Sequence, residues 1–188
     1  MNITKLLELK KTVFTVEDLQ KILDTNNKAT IRNYMSRAKE KWLVESIYYW
    51  IWKVIWRDVE IFELACKINK NSYISFETVL KKEWVIFQYY DSIFLASDKS
   101  VERIALGKIF KTFKMKKSIL LNPIWIIQAW NYSIASKERA ICDKIYLSKN
   151  YYFDDLSSID FKNLEDISKI YNKRVEKEIN SLIEKHAK

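Results

Sequence analysis

The sequence predicts an α+β fold in two parts: helices followed by a hairpin in residues 1–58, and a mixed α/β domain in residues 59–188. Three observations lead to this prediction. Apolar residues recur at helical spacing through the first forty positions, and two short β-rich runs follow at 43–55. Strand-like patterns dominate residues 85–129. Hydrophobic residues make up 48% of the 188 positions and charged residues 30%, which is typical of a folded globular chain.

The first part predicts three helices. A short amphipathic helix is expected at residues 3–10, and the segment VFTVEDLQKIL is expected to form the second. Thr15 is a good N-cap for it, because a hydroxyl oxygen can accept hydrogen bonds from the unpaired amides of a first turn. Asp18, three residues later, suits a capping box. After a turn at DTNNK, the segment KATIRNYMSRAKEKW is expected to bury one side of a third helix through Ile31, Tyr34, Met35 and Ala38.

The other side of this third helix is polar and basic. It suits a DNA major groove, because cations can reach the phosphates at the rim while hydrogen-bonding side chains read base edges on the floor. An ordinary solvent-facing helix surface is the alternative interpretation. The predicted DNA-contacting residues of this helix are Lys28, Thr30, Arg32, Asn33, Ser36 and Arg37.

Two β-rich runs, LVESI and IWKVI, follow this helix with a short break between them. Three helices and a hairpin in this order predict a winged helix-turn-helix domain over residues 1–58, which is a class of domain that binds double-stranded DNA. Lys53 lies where the hairpin, or wing, is expected to approach the DNA backbone. It completes the set of predicted contacts.

Residues 59–188 predict a sheet-centred domain with helices packed on the sheet. The predicted elements are, in order, a helix at 57–68 that links the two parts, a helix capped by Ser75, paired strands at 85–97, a strand or hairpin at 104–115 with its basic residues on one face, strands at 118–122 and 126–129, a helix capped by Ser136, and two charged helices near 160–171 and 174–186.

The formal net charge of +9 favours nucleic-acid or acidic partners. Residues 99–117 carry seven Lys or Arg against one acidic residue. This run is a second candidate surface for DNA or for an acidic partner, and a solvated strand face is the alternative. The members of this run are Lys99, Arg103, Lys108, Lys111, Lys114, Lys116 and Lys117.

Three blocks of the chain together resemble one family. They are the segments from FTVEDLQKIL to IWKVI in the first third, FELACKINKNSYISFETVLKKEWVI at 62–86, and YSIASKERAICDKIYL at 132–147. In this order they are similar to the AbiEi-type antitoxins of type IV toxin–antitoxin systems. The resemblance implies a DNA-binding antitoxin that represses its own operon by binding an operator. It also implies a functional pairing with a nucleotidyltransferase toxin, and it is compatible with a homodimer on DNA.

The resemblance further implies a structural or partner-binding role, rather than catalysis, for one set of residues. These are Ser75, Glu77, Glu138, Arg139 and Asp143. Arg139 and Asp143 stand four positions apart, so they are expected to pair along one helix.

Glycine and tryptophan occur in unusual numbers. The chain has one glycine and seven tryptophans, whereas a glycine share of ~7% would give roughly 13. Six tryptophans fall at expected turns, most of them where the family has glycine, which alone adopts the positive φ of such turns freely. We hypothesise that the gene uses UGA for glycine and is translated here with tryptophan; a tryptophan-rich protein is the alternative. The six are Trp42, Trp50, Trp56, Trp84, Trp125 and Trp130, whereas Trp52 fits a true tryptophan.

Other functions find little support in the sequence. The single histidine, His186, forms no recognisable nucleophile–base arrangement, and no glycine-rich phosphate loop or metal-ligand spacing is present, so neither a cofactor nor catalysis is predicted. The first alternative is a nucleic-acid-processing enzyme, nuclease-like or transferase, carried on a winged helix. The second is binding to a membrane surface through the Trp-rich segment 48–56.

The expected location is the cytoplasm, without membrane contact. Cys66 and Cys142 stand far apart and match no redox or metal spacing, which favours a reducing compartment. The N-terminal residues contain no apolar run suited to a signal peptide, and residues 42–56 are too short and too interrupted by charge to span a membrane.

Overall fold

A computed structural model describes Leu6 and residues 8 to 186. The described chain is a mixed α+β protein, as predicted, and it contains eight helices and two sheets. It divides into two compact units, Met1–Ile68 and Asn69–Lys188. The boundary therefore follows residue 68 rather than residue 58. The helix predicted at 3–10 lies largely outside the described residues.

The first unit contains a three-stranded antiparallel sheet and three described helices. Its sheet has the strand order β1-β3-β2. The elements are β1 (Phe14–Thr15), α1 (Val16–Leu23), α2 (Lys28–Glu40), β2 (Val44–Tyr48), β3 (Ile51–Val54) and α3 (Ile61–Ile68).

Helix α1 begins as the sequence predicts. The Thr15 side chain accepts from the Asp18 amide, and the Asp18 carboxylate accepts from the Thr15 amide at 3.0 Å, which completes the capping box. Asp18 also pairs with Lys11. Burial would raise the pKa of the Asp18 carboxyl, but Lys11 and Thr15 outweigh burial and lower that pKa below its ordinary value.

The core of the first unit lies between the sheet, α1 and α2. The predicted apolar side of α2 is buried there, and the segment leading into α1 contributes Phe14. Helix α3 joins this unit because Glu63 accepts from the amide and hydroxyl of Thr12 at 2.9 and 2.7 Å, and the Glu60 amide donates to the same hydroxyl. These bonds explain why the boundary lies after α3. The buried members of the core cluster are Leu6, Phe14, Leu19, Ile31, Tyr34, Met35, Ala38, Val44 and Val54.

The second unit is built on a six-stranded mixed sheet of strand order β6-β7-β5-β4-β9-β8. Strand β4 runs parallel to β9, β5 runs parallel to β7, and the other neighbours are antiparallel. The elements are β4 (Tyr73–Ile74), α4 (Glu77–Lys82), β5 (Ser92–Ser97), β6 (Val101–Ala105), β7 (Lys108–Lys114), α5 (Lys117–Leu120), β8 (Ile126–Ala129), β9 (Tyr132–Ala135), α6 (Lys137–Leu147), α7 (Phe161–Ser168) and α8 (Lys173–His186).

Several predicted elements of this unit are confirmed. The hairpin of β6 and β7, the strand β8 and the two tail helices form where expected. Ser136 caps α6, since its side chain accepts from the Arg139 amide at 3.2 Å. The turn between β6 and β7 uses Leu106 and Gly107, both at positive φ, as two-residue hairpin turns of type I′ require.

Three predictions for this unit are wrong. Only one strand, β5, forms within 85–97, and residues 117–120 begin a short helix rather than a strand. Ser75 does not cap α4: the residue before that helix is Phe76, and the Ser75 hydroxyl donates instead to a carboxylate distant in sequence. Spacing along the chain could not reveal that a buried acceptor competes for this hydroxyl.

Tryptophans occupy the left-handed backbone positions that end two helices. Trp42 follows α2 with φ 55°, and the Leu43 amide donates back to the Ala38 carbonyl at 3.1 Å. Trp84 follows α4 with φ 61°, and the Val85 amide donates to the Leu80 carbonyl at 2.8 Å. Both are Schellman motifs, in which the left-handed residue is usually glycine.

Three further tryptophans lie at positive φ in turns. Trp50, at φ 57°, is the second central residue of the β2–β3 turn, and Trp130, at φ 47°, is the first central residue of the β8–β9 turn. Glycine at the first central position is the signature of a type II′ hairpin turn. Trp125, at φ 59°, precedes β8. Trp56 does not have a positive φ, so its predicted glycine-like backbone is the exception.

Exposure separates these tryptophans from Trp52. Trp42, Trp84 and Trp130 are 81%, 74% and 87% exposed, so their rings bury little apolar surface. Trp52 lies in β3 and packs against the core of the first unit. Five of the seven tryptophans therefore combine a backbone suited to glycine with an exposed side chain, which supports the recoding hypothesis.

We expect Trp42→Gly, Trp84→Gly and Trp130→Gly each to raise the free energy of unfolding by about 1 kcal/mol, because glycine removes the steric cost of left-handed backbone. Trp56→Gly is the matched control. It should lower stability by about 0.5–1 kcal/mol, because its φ is ordinary and glycine there adds only unfolded-state entropy. Urea unfolding measures all four changes, and equal losses at all four positions would refute the interpretation. Codons and peptide masses from the native host identify the residues directly.

Candidate nucleic-acid interface

Helix α2 is held in one orientation by its cap and its buried side. The Asn27 side chain accepts from the amides of Ala29 and Thr30 at 2.9 and 3.4 Å, which fixes the first turn. Ile31 and Ala38 are fully buried in the core of the first unit. The rotation of the helix about its own axis is therefore set, and the opposite side must face solvent.

All six residues predicted on the opposite side are exposed. They span about 14 Å of the helix, since each residue adds about 1.5 Å. A B-DNA major groove is about 12 Å wide, so this length matches one crossing of a groove. The residues are Lys28, Thr30, Arg32, Asn33, Ser36 and Arg37.

These side chains are arranged in a central strip with cations on both sides. Successive residues rotate by about 100° around a helix, which places Asn33 and Ser36 directly opposite the buried side. Arg32 and Arg37 then lie about 70° to either side of that strip. Hydrogen-bonding groups in the middle and guanidinium groups at the flanks match the floor and the rims of a major groove.

The charge of this face is not compensated nearby. The first turn of α2 contains no acidic residue, and within residues 8–186 Lys28, Arg32 and Arg37 pair with no carboxylate. Glu40, the last residue of α2, is the nearest acidic group along the helix. The amino-terminal end of a helix also carries the positive end of its dipole. The positive potential is therefore concentrated on the first two and a half turns.

Lys53 was expected to face the DNA backbone from the hairpin, but its side chain is engaged within the hairpin. It lies in β3 directly opposite Glu45 of β2, with Nζ 3.0 Å from Oε1, and its side chain is only 17% exposed. Its charge is thus largely compensated within the hairpin. The turn of the hairpin presents Tyr49, which is 82% exposed, and the adjacent Trp50.

The basic run at 99–117 does not form one face. Alternation along β7 places Lys108 and Lys114 on one side of the strand and Lys111 on the other, so the prediction of a single basic face is wrong. Lys111 pairs with Glu102 at 3.2 Å, and Arg103 donates to the Asn69 side chain at 2.9 Å. Two of the seven cations in this run are therefore engaged within the unit.

The remaining cations divide between the two ends of β7. Lys108 begins the strand, about 20 Å from Lys114 at its end. Three exposed lysines, Lys114, Lys116 and Lys117, follow one another closely there. Lys99 joins them, because the Thr112 hydroxyl donates to its carbonyl and Lys114 donates its amide to the neighbouring Ser100. The run thus yields one compact basic cluster, of four lysines.

Residues of the second and third resembling blocks, together with Tyr171, meet in a buried polar network centred on Asp143. Its carboxylate accepts from the hydroxyls of Ser75 at 2.7 Å, Tyr73 at 3.0 Å and Tyr171 at 2.6 Å. The Arg139 guanidinium lies 3.7 Å away through Nε, which confirms the predicted pairing. Both charged side chains are fully buried. We refer to these five residues as the Asp143 network.

Arg139 connects the network to the loop before β8. It donates to the carbonyls of Ile119 at 2.7 Å and Ile124 at 3.0 Å, and to the Tyr73 hydroxyl at 3.2 Å. Charged donors form the stronger class of protein hydrogen bonds, and burial strengthens them further. The network therefore joins β4, α6, the segment around residues 119–124 and the turn before α8.

Burial dominates the protonation chemistry of this network. It raises the pKa of Asp143 above the ordinary value, and Arg139 with the three hydroxyl donors offsets only part of that increase. Burial also raises the pKa of Tyr73 and of Tyr171 well above the usual range for tyrosine, with the Asp143 charge adding to the effect. Both tyrosines therefore remain protonated donors to the carboxylate.

The other two residues of the resembling set lie nearby. Glu77 pairs with Lys144 of α6, and both side chains are mostly buried. Glu138 is buried and accepts from the Asp160 amide at 3.5 Å, which lies at the start of α7. All five residues singled out by the resemblance thus make contacts between elements of the second unit.

Two members of the Asp143 network were not identified from the sequence. Tyr73 stands two positions before Ser75, so both side chains lie on the same side of the extended segment, and this spacing was a usable signal. Tyr171 lies in the short connection between α7 and α8, and no local pattern indicates its contact.

Comparisons with known proteins add no assignment. The chain matches no protein-family model, and no curated protein is significantly similar to it. No helix among the described residues combines the length and the apolar character needed to cross a membrane. Within the same residues, no three His, Cys, Asp or Glu side chains are grouped in a way that could hold a metal ion.

We expect Arg139→Met to destabilise the second unit by about 3–5 kcal/mol, because it leaves the Asp143 carboxylate buried without its cation. The double variant Arg139→Met/Asp143→Asn should cost less than the sum of the single variants, since it removes both charges together. Urea unfolding followed by far-UV circular dichroism measures the three values. Strict additivity would show that the two side chains do not interact energetically.

Proposed function

We propose that this protein is a DNA-binding antitoxin that represses its own operon, with the first unit as a winged helix-turn-helix domain. The observation that carries the proposal is the exposed face of α2, where a strip of hydrogen-bonding side chains lies between uncompensated cations. We propose double-stranded operator DNA as its partner. A cytoplasmic location is part of the proposal.

The order of elements supports the winged-helix assignment. Two helices, α1 and α2, are joined by a four-residue turn and followed directly by the β2–β3 hairpin. In helix-turn-helix proteins the second helix enters the major groove, and its amino-terminal residues contact base edges. The amino-terminal part of α2 is where the cap, the cations and the polar strip coincide.

The hairpin is proposed to contribute less through Lys53 than its position in the sequence suggested. Breaking the pair with Glu45 would offset part of any gain from a phosphate contact. Tyr49, in the turn of this hairpin, is 82% exposed and is the proposed contact of the hairpin with the DNA backbone. The cluster of Lys99, Lys114, Lys116 and Lys117 is a second candidate surface for DNA or an acidic partner.

The role in a toxin–antitoxin system rests on the resemblance of the three sequence blocks to AbiEi-type antitoxins. In this proposal the second unit supports antitoxin activity, and the Asp143 network maintains its shape. The toxin would be a nucleotidyltransferase encoded in the same operon. Repression of a reporter placed behind the upstream region, together with rescue of cells that express the neighbouring gene, tests both halves of the proposal.

We expect Arg32→Ala/Arg37→Ala to weaken binding to operator DNA at least about tenfold at ~0.15 M salt, because two phosphate contacts are lost. The slope of log affinity against log salt should fall in magnitude by about 2. Fluorescence anisotropy over a series of salt concentrations measures both quantities.

A matched control removes the same number of charges elsewhere. Lys177→Ala/Lys185→Ala deletes two exposed lysines of α8 in the second unit and should leave both quantities unchanged. Operator binding that is unaffected by the α2 variant would exclude α2 as the recognition helix. Metal-dependent cleavage of DNA or RNA by the purified protein would favour the enzyme alternative instead.

Asn33→Ala/Ser36→Ala should act differently from the arginine variant. These side chains lie in the central strip, so their loss should reduce discrimination between operator and random DNA by about tenfold while leaving the salt slope unchanged. Competition binding with the two DNAs measures the ratio. An equal loss of affinity for both DNAs would place these residues on the backbone instead of the base edges.

A further inference from the structure

The longest uncharged stretch of the chain lies at one end of the second sheet. Residues 118–136 contain no Asp, Glu, Lys, Arg or His, although charged residues make up 30% of the protein. This stretch runs from α5 through the loop and the β8–β9 hairpin to the cap of α6. A basic chain of net charge +9 thus keeps one region free of charge.

This stretch contains an open edge of the sheet and several exposed apolar side chains. Strand β8 is the last strand of the six, with β9 as its one neighbour in the sheet. A strand edge presents unpaired backbone groups that can pair with another strand. The large apolar residues exposed in this stretch are Leu121, Ile124 and Ile127, besides Trp125 and Trp130 at the two turn positions that the recoding hypothesis assigns to glycine.

The opposite edge of the same sheet is protected in the usual way. Strand β6 carries Glu102 and Arg103 at its centre, and charged side chains on an edge strand discourage pairing with other chains. Strand β8, with the sequence IIQA, has neither a charge nor a proline nor a bulge. The two edges are therefore not equivalent.

The backbone groups that β8 leaves unpaired can be identified. Ala129 and Tyr132 close a two-residue hairpin loop, so they form a hydrogen-bonded pair, and the next such pair is Ile127 with Ile134. Gln128 and Ile126 therefore direct their backbone groups away from β9. The Ile126 amide donates locally to the Pro123 carbonyl at 3.1 Å. Among the residues that the structure describes, the Gln128 amide, the Gln128 carbonyl and the Ile126 carbonyl have no partner and remain available at the edge.

We propose that β8 pairs in antiparallel orientation with β8 of a second copy of this chain, centred on Gln128. In this register each Gln128 amide donates to the Gln128 carbonyl of the other copy, which uses both groups that the edge leaves open. A register centred on Ile127 would need the Ile126 amide, which is already engaged. Ile127 of each copy then faces Ala129 of the other on the same side of the joined sheet.

The surface beside β8 suits this arrangement. A depression of about 240 Å³ lies on the side of the sheet to which Gln128 and Ser133 both point. Side chains of the added strand alternate between the two sides of the joined sheet, so Gln128 and Ile126 of the second copy lie on this side too. The depression therefore borders the side of the joined sheet on which these two side chains lie.

The charge distribution of the protein directs a second copy to this stretch. Two chains of net charge +9 repel wherever their basic surfaces meet. Residues 118–136 are where two copies can approach without juxtaposing charges, and twofold pairing brings this same stretch together from both copies. Pairing through β8 does not require DNA binding, so a failure of the proposed function would not contradict it.

Sedimentation equilibrium of the purified full chain should give twice the 22.6 kDa chain mass at micromolar concentration. Ile127→Lys should weaken self-association about tenfold or more, because it places a cation in each half of the interface. Ile104→Lys is the matched control. Ile104 is 63% exposed on the β6 edge, Ile127 is 54% exposed on the β8 edge, and the control should leave the dimer intact.

Gln128→Pro provides a second test, because it removes the outward amide, which has no partner within the described chain. It also removes the side-chain oxygen that accepts from the Ser133 hydroxyl at 2.9 Å. It should dissociate the dimer while circular dichroism and the unfolding midpoint stay close to those of the parent. A monomeric parent protein would overturn the proposal, and so would a dimer that survives both Ile127→Lys and Gln128→Pro.

Crosslinking tests the register independently of variants that fold poorly. Cα atoms of a hydrogen-bonded antiparallel pair lie about 5.5 Å apart, within the range of a disulfide. Gln128→Cys should therefore give a covalent dimer under mild oxidation, and Ile104→Cys should not. Equal crosslinking at both positions would place the contact elsewhere.

Discussion

Chain reversal through left-handed backbone is the constraint on which the rest of this structure depends. Two Schellman motifs and two of the three hairpin turns place a tryptophan at positive φ, and the third hairpin turn uses Leu106 and Gly107. Each reversal sets where the next element begins: the end of α2 leads directly into β2, and the turn after β8 sets the register with β9. A β-branched or bulky residue at such a position costs free energy that glycine does not. The recoding hypothesis removes this cost while keeping the fold unchanged.

The proposed DNA-binding face follows from burial on the other side of the same helix. Because Ile31 and Ala38 occupy the core, the helix cannot rotate without exposing apolar surface. The arrangement of Asn33 and Ser36 between flanking arginines is thus a consequence of core packing. Lys53 shows the opposite case, in which a cation close to the proposed interface is held by its own hairpin.

The second unit combines a rigid interior with one unprotected edge. The Asp143 network joins four separate segments through buried hydrogen bonds, and Arg139 fixes the loop that leads into β8. A loop held in this way presents the edge strand in a single conformation. Preorganisation of that kind lowers the entropic cost of adding another strand. The buried network and the proposed self-association surface are therefore physically connected.

Local signals in the sequence determined most of the helices and the hairpins. The capping residues Thr15 and Ser136 and the apolar period of α2 act over three or four positions, so they can be read without knowing the fold. The same period identified the exposed residues of the candidate interface. The turn positions of Trp42 and Trp84 were also readable, because helix ends favour left-handed backbone.

Only the tertiary structure determined the hydrogen-bond partners of the polar side chains. Ser75 donates to Asp143 instead of capping α4, and residues 117–120 form a helix although their apolar run resembles a strand. The unit boundary after Ile68 depends on bonds between Glu63 and Thr12. The contact of Ser75 spans 68 positions of the chain and that between Glu63 and Thr12 spans 51. Their energies come from burial and charge pairing in space, and spacing along the chain carries no information about either.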